Sequence, residues 1–312
     1  MDATFDELVQ RHRRELHVHC YRMLGSFTDA EDVVQETFLK AWNKRDTFTG
    51  EPGDERAWLY RIATNACIDA IRRNGRQLST VDSYAEVPWL QPYPDTMLST
   101  VEPGEQVVAR ETIELTFLAV LQLLPGPQRA VLILRDVLDW SAAETAELLE
   151  MSVAAANSAL QRARATLRDK LPAKRSEWSL AEPSEIERDL LRRFIDAHER
   201  GDIEASLAMV RHDIRITMPP HPWLFEGVDA MRSGLEQAFG PGSLGDWRLV
   251  PTAANRMPAA ASYLRRPGET EYRAFKLDVL RVEGDLVVEV TTFDAALFDR
   301  FGLPEVLPDE LP

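Results

Sequence analysis

At 312 residues the chain exceeds the usual size of one domain, so two or three domains with separate cores are expected. Hydrophobic residues make up 45% and charged residues 28%, as in globular proteins, and no apolar run approaches the roughly 18–20 residues that span a bilayer. The net charge of −15 excludes nucleic-acid binding only if it is evenly spread, and it is not. Between 151 and 175, Arg162, Arg164, Arg168, Lys170, Lys174 and Arg175 stand against Asp169 alone. Between 78 and 111 Arg110 stands against Asp82, Glu86, Asp95, Glu102, Glu105 and Glu111, and from Trp178 onward acids outnumber bases. The acidic amino end lacks the apolar core of a signal peptide, and Cys20 and Cys67 fall inside helical patterns as buried thiols of a reducing compartment. A cytoplasmic protein is expected.

Residues 4–77 read as helices. Thr28 with Glu31 forms a capping box for a helix to about residue 44. Its Val34, Phe38, Ala41 and Trp42 share one face as a core stripe, leaving Asp32, Glu36 and Leu39 on another. After Pro52-Gly53, with Asp54 as N-cap, a second helix puts Leu59, Ile62, Ala66 and Ala70 inward. Trp58, Arg61, Asn65, Asp69, Arg72 and Arg76 then line a different side. Cations at a helix C-terminus also suit the macrodipole. An exposed aromatic among Arg and Asn suits unstacked bases better, because these need a stacking face and a cationic groove.

Residues 78–108 are rich in breakers, such as Val87-Pro88-Trp89-Leu90-Gln91-Pro92-Tyr93-Pro94, and read as an acidic linker, either a plain spacer or a nucleic-acid mimic. Residues 109–173 are helical again. A helix over 128–138 follows Pro125-Gly126-Pro127. Ser141 and Glu144 make a second capping box for a helix ending near Glu150, and Ser152 caps a helix to about residue 170. Two helices joined by so short a turn, the second basic at its end, fit a helix-turn-helix or a simple helical hairpin.

Together these segments resemble bacterial RNA polymerase sigma factors of the extracytoplasmic-function type. Asp29-Ala30-Glu31-Asp32-Val33-Val34-Gln35-Glu36-Thr37-Phe38 is similar to the family's polymerase-docking segment. Arg61-Ile62-Ala63-Thr64-Asn65 with Arg72-Arg73 is similar to its −10 reader, and Leu124-Pro125 with the later helix-turn-helix to its −35 reader. The resemblance covers about residues 4–172 and implies a function: to bind RNA polymerase core and direct promoter recognition and transcription initiation. It implies contacts to the clamp coiled coil and flap of the polymerase, the former through Asp32, Gln35, Glu36 and Leu39. It implies −10 contacts by Lys44, Arg45, Phe48, Trp58, Arg61, Asn65, Arg72, Arg73 and Arg76, with Phe48 in a base-capturing loop over 44–55. For the −35 duplex it implies Ser152, Val153, Asn157, Ser158, Gln161, Arg162, Arg164 and Arg168. The chain departs from the family at Ala154-Ala155-Ala156-Asn157-Ser158-Ala159, where Asn157 and Ala159 replace two customary bases. Glu150 stands where a turn glycine is common, costing about 1 kcal/mol if φ must be positive. Gln161, Arg162 and Arg164 are therefore expected to carry more of the duplex contact.

Residues 184–303 are additional. Ser184 with Glu187 caps a helix to about residue 199, and Gly201-Asp202 opens another through residue 210. Strands follow over 214–218, 248–254, 261–265, 272–282 and 286–293, with a helix over 230–239. This order, with Asp196-Ala197-His198-Glu199-Arg200-Gly201-Asp202 and Phe225-Glu226-Gly227, is similar to the NTF2/SnoaL-like cone, whose sheet curls around a pocket. The fold expected is therefore multidomain: two all-α sigma domains (4–77 and 109–173) plus a C-terminal α+β cone. Candidate pocket residues are His221, Trp223, Tyr263, Tyr272, Phe275, Asp278 and Asp294, although most such aromatics serve a core and His221 reads as a loop residue. A regulatory domain taking a small ligand or an intramolecular contact is favoured over a SnoaL-type isomerase or cyclase with a DNA-binding appendage. An operator-binding regulator acting without polymerase would leave 28–76 without a task. His17 and His19 diverge on their helix, so neither metal nor cofactor is expected, nor any catalysis.

Overall fold

The computed structural model of the chain describes residues 3–48, 54–75, 87–98, 113–171 and 184–307, which divide into two units. The helical unit holds α1 (Ala3–Leu24), α2 (Phe27–Lys44) and α3 (Glu55–Arg73), then α4 (Leu115–Leu121), α5 (Gly126–Leu132), α6 (Ala142–Leu148) and α7 (Val153–Lys170). α1, α2 and α3 bury Leu16, Tyr21, Phe27, Val34, Leu59 and Cys67 among themselves. α5 and α6 pack on α7 through Ala130, Leu134, Ala146, Leu148, Leu160 and Ala163.

Two expected helix boundaries shift. Ser26, not Thr28, caps α2: its side chain accepts from Asp29 N–H, while Thr28 N–H donates to Gln91 Oε1 at 2.9 Å. Asp54 precedes α3 but makes no side-chain cap bond. The helix expected over 128–138 starts at Gly126 and widens into a π-helical turn at Ile133–Val137. The Ser141–Glu144 and Ser184–Glu187 capping boxes both form, each satisfying two otherwise orphaned backbone donors.

The second unit contains α8 (Glu185–Glu199), α9 (Ile203–Ala208) and α10 (Val228–Phe239). Its strands are β1 (Val210–Met218), β2 (His221–Glu226), β3 (Asp246–Ala254), β4 (Met257–Arg265), β5 (Arg273–Glu283) and β6 (Leu286–Asp294). They form one sheet in the order β2-β1-β6-β5-β4-β3, antiparallel except where β1 runs parallel to β6. β2 has no counterpart among the expected strands. α8 and α10 cover the sheet, burying Leu190, Phe194, Met231 and Leu235 against Leu249, Leu264, Leu280 and Val290. This α+β arrangement is the expected cone.

Only part of the expected linker is described, and it is more than a plain spacer. Within the helical unit Tyr21 donates its hydroxyl to Gln91 O at 2.6 Å and Ser26 donates to Gln91 Oε1 at 3.0 Å. Within the second unit Tyr93 N–H donates to Asn255 Oδ1 at 2.8 Å and Arg256 N–H donates to Asp95 Oδ1 at 2.7 Å.

Candidate functional site

Three surfaces and one cavity hold the expected residues. On α2, the same amphipathic pattern that buries Ala30, Val33, Val34, Thr37, Phe38 and Ala41 turns Asp32, Gln35 and Leu39 outward. Glu36 is half-buried and pairs with Lys40 at 2.7 Å. Leu39 is 65% exposed, an apolar side chain left in water beside carboxylates. Trp42 sits at the edge of the core, edge-on to Phe5, with the Arg45 guanidinium 4.1 Å above its ring centroid.

α3 buries Leu59, Tyr60, Ala63, Ala66, Cys67 and Ala70 and leaves Asn65, Arg72 and Arg73 exposed, with Trp58 and Arg61 half-buried. Phe48 lies over Trp58, ring centroids 4.9 Å apart and planes tilted by 36°, so two aromatic faces meet beside the exposed Lys44 and Arg45. Arg61 donates to Glu147 O at 2.8 Å, and Arg72 pairs with Asp69 at 3.2 Å. Arg76 and residues 49–53 of the loop lie outside the described residues. Behind this face His19 is buried against Thr64 Oγ1 at 2.9 Å, and burial pulls its pKa down to about 3.

In the helix-turn-helix, Glu150 adopts φ 53°, the left-handed geometry its place in the turn demanded. Ser152 caps α7 by accepting from Ala155 N–H at 3.1 Å. Val153, Asn157, Ser158, Gln161, Arg162 and Arg168 are exposed, while Ala156, Ala159, Leu160, Ala163 and Leu167 face inward. Ala159 is therefore a packing residue rather than a lost DNA contact. Arg164 is exposed as well, and it is paired within the helical unit. Its guanidinium forks onto Asp136 at 2.8 and 2.7 Å, and that hydrogen-bonded pair raises its pKa, so its donors are committed within the chain.

The second unit encloses a cavity of about 370 Å³ between the sheet, α8 and α10. His221, Phe275, Asp278 and Asp294 line it, whereas Trp223, Tyr263 and Tyr272 do not. Tyr263 is buried elsewhere, donating its hydroxyl to Pro304 O at 3.0 Å, and Tyr272 stacks beneath Arg248 and Arg265. Trp223 stands exposed, stacked on His221 in β2 rather than in a loop. Asp294 caps the following 3-10 turn by accepting from Ala296 N–H at 3.0 Å. Asp278 is 1% exposed; burial opposes its charge, but Lys276 at 2.8 Å and Thr292 at 2.7 Å hold its pKa below the usual carboxylate range. The expected pocket set omitted His198, Trp247 and Lys276, which line it from α8, β3 and β5.

His198 is buried, and desolvation, reinforced by Lys276, pulls its pKa down to about 3. The unfolded chain would take up a proton near the ordinary value of 6.5, so stability present above that value is lost as pH falls toward 3. At about pH 5 this one residue should cost about 2 kcal/mol, and His198→Phe should remove that slope in urea unfolding of the second unit. An unchanged pH dependence would contradict the buried neutral imidazole.

An acid-and-leucine face on α2, an aromatic pair beside cations on α3, and a capped helix-turn-helix are what a promoter-specificity protein of the sigma-70 kind requires. Family models agree: Sigma-70 region 2 matches residues 8–77, Sigma-70 region 4 matches 114–167, and a SnoaL-like domain matches 191–290. The chain is 40% identical over 319 residues to ECF RNA polymerase sigma factor SigG of Mycobacterium tuberculosis, covering 98% of this chain and 85% of that protein. It is 30% identical over 259 residues to SigJ of the same organism, covering 80% and 78%. The crystal structure of Mycobacterium tuberculosis SigJ superposes with a TM-score of 0.64 at 22% identity, covering 96% of this chain and 99% of that one, and shares its fold. The chain belongs to the ECF RNA polymerase sigma factors. It binds RNA polymerase core and promoter DNA and directs transcription initiation. No helix among the described residues is long and apolar enough to cross a membrane.

Proposed function

We propose that α2 seats on the clamp coiled coil of the polymerase through Asp32, Gln35, Glu36 and Leu39, and that region 4 contacts the flap. The observation that carries this reading is Leu39, 65% exposed on a helix whose other side is fully packed. An exposed apolar side chain ringed by polar groups gains from being covered by a partner, whose apolar surface removes it from water. Glu36→Arg should abolish capture of core polymerase by the chain; capture at the wild-type level would reject the assignment. In the −10 role, Trp58 and Phe48 supply stacking faces while Lys44, Arg45, Arg61, Asn65, Arg72, Arg73 and Arg76 supply donors and positive charge. Arg61 Nη2 is already given to Glu147 O at 2.8 Å and would exchange that carbonyl for a strand.

For the −35 duplex, Ser152, Val153, Asn157, Ser158, Gln161, Arg162 and Arg168 present the N-terminal turns of α7 and its basic end. Arg164 joins them only after exchanging Asp136 for phosphate, an exchange of small cost at an exposed pair. Asn157→Lys should add one phosphate contact. Affinity of the holoenzyme for −35 duplex should rise, and the slope of log K against log salt should steepen by about 0.9. An unchanged slope would place Asn157 off the DNA.

The C-terminal domain is proposed as a regulatory module of a cytoplasmic sigma factor, not as an isomerase. Asp278, its candidate base, is held ionised and satisfied by Lys276, Ser262 and Thr292, which lowers its appetite for a substrate proton. Truncation after about residue 180 should alter transcription from the cognate promoter. Equal transcription by the truncated chain would remove the regulatory role.

A further inference from the structure

Burial fixes which side of α7 faces the core. Ala156, Ala159, Leu160, Ala163 and Leu167 pack against α5 and α6, which leaves one face turned away from them. The residues opposite that packed side are Ala154, Ser158, Gln161 and Ala165, spaced i, i+4, i+7 and i+11, and all four are exposed. The cations stand on the flanks. Arg164 and Arg168 lie with Asn157 along one edge of this face, and Arg162 lies along the other. Arg162 and Arg168 make no ion pair among the described residues, and the Gln161 side chain makes no hydrogen bond there.

A helix seated in a major groove with this face inward sets its arginines toward the two phosphate walls. Against the base edges it sets only methyl groups, one hydroxyl and one carboxamide. The chemistry left for reading bases is narrow. Guanine offers two acceptors, N7 and O6, and is held by the paired donors of Arg or Lys, which the centre of this face lacks. Cytosine offers a donor and suits a carboxylate; α7 has none before Asp169. A carboxamide carries one acceptor and one donor group side by side, which matches the N6 amino group and N7 of adenine. The Ser158 hydroxyl suits any base and decides nothing, whereas an alanine methyl fits the C5-methyl of thymine. We infer that α7 selects A·T pairs: Gln161 reads an adenine, and Ala154, two turns earlier, covers a thymine methyl. Arg162 and Arg168 hold phosphates and carry no sequence information. This deepens the proposed seat of α7 on the −35 duplex and rests on it, and separate variants test the two.

The full chain with core polymerase is offered duplexes of the cognate promoter randomised through the −35 element. Wild type should enrich A·T pairs where α7 lies. Gln161→Arg should change one selected adenine to guanine, with about tenfold preference for the new base. Uracil in place of thymine removes only a methyl, and at another selected position it should weaken binding about fourfold, the worth of one buried methyl. Ala154→Gly should be insensitive to that swap. Arg162→Ala and Arg168→Ala should weaken binding to every duplex alike. With those uniform losses in place, G·C pairs selected by wild type, an adenine unmoved by Gln161→Arg, or uracil tolerated at every position would each overturn the inference and leave α7 on the duplex. Wild-type affinity for both arginine variants would instead take α7 off the −35 element, and the base assignment with it.

Discussion

Leu39→Asp is expected to weaken binding to core polymerase by about a hundredfold, with the thermal midpoint of the free chain unchanged. Leu39 is 65% exposed, so the free protein loses almost no packing when the side chain is replaced. In the docked state the same leucine would be desolvated among Asp32, Gln35 and Glu36. Truncating an apolar anchor at the centre of an interface costs about 2–4 kcal/mol, and a carboxylate there adds a desolvation cost. About 2.7 kcal/mol corresponds to the hundredfold expected. Asp32→Ala should act differently, slowing association at low salt while leaving dissociation nearly unchanged, as rim charges do. Anisotropy titration of labelled chain with core enzyme reads both effects. Wild-type affinity for Leu39→Asp would move the docking surface off α2 altogether.

What could be read from sequence was local. The Ser141–Glu144 and Ser184–Glu187 boxes depend on groups three residues apart, so composition and spacing sufficed. Glu150 was legible for the same reason, since a tight turn imposes its φ whatever the residue. Ser26 was missed as the cap of α2 because Thr28 with Glu31 offered a competing box of the same spacing, and what removes Thr28 N–H from it is Gln91, more than 60 residues away. β2 escaped because His221–Glu226 is exposed throughout and shows no buried-exposed alternation. In the cavity the pattern reached Asp278 and Phe275 but not His198, Trp247 or Lys276, whose convergence is a property of the folded sheet and α8. Arg164 was placed on DNA by its charge; Asp136, 28 residues earlier, competes for it.

Arg129→Ala should strongly destabilise the helical unit, by about 3 kcal/mol, because several buried acceptors lose a charged donor at once. Read as sequence, Arg129 is one more cation near a helix start; in the fold it is completely buried. Nη1 donates to Met23 O and to Gln122 Oε1 at 2.7 Å, and Nη2 donates to Gln122 O at 3.1 Å and Leu124 O at 3.0 Å. Burial pulls its pKa down to about 9, which still leaves it charged at neutral pH, held by oxygen acceptors rather than by a carboxylate. Alanine would strand these carbonyls in a cavity where water lacks the guanidinium's planar reach. Arg129→Lys, with one compact ammonium in place of the fork, should recover only part of the loss. Under the proposed promoter contacts the junction joins the two readers, because Met23 ends the helix packed on α3 and Leu124 leads into α5. Urea unfolding followed by signals from Trp58 and Trp140 should show the loss, and promoter-directed transcription by Arg129→Ala should fail at temperatures the wild type tolerates. A midpoint equal to wild type would show that this buried fork contributes no net stability and that other packing joins the two readers.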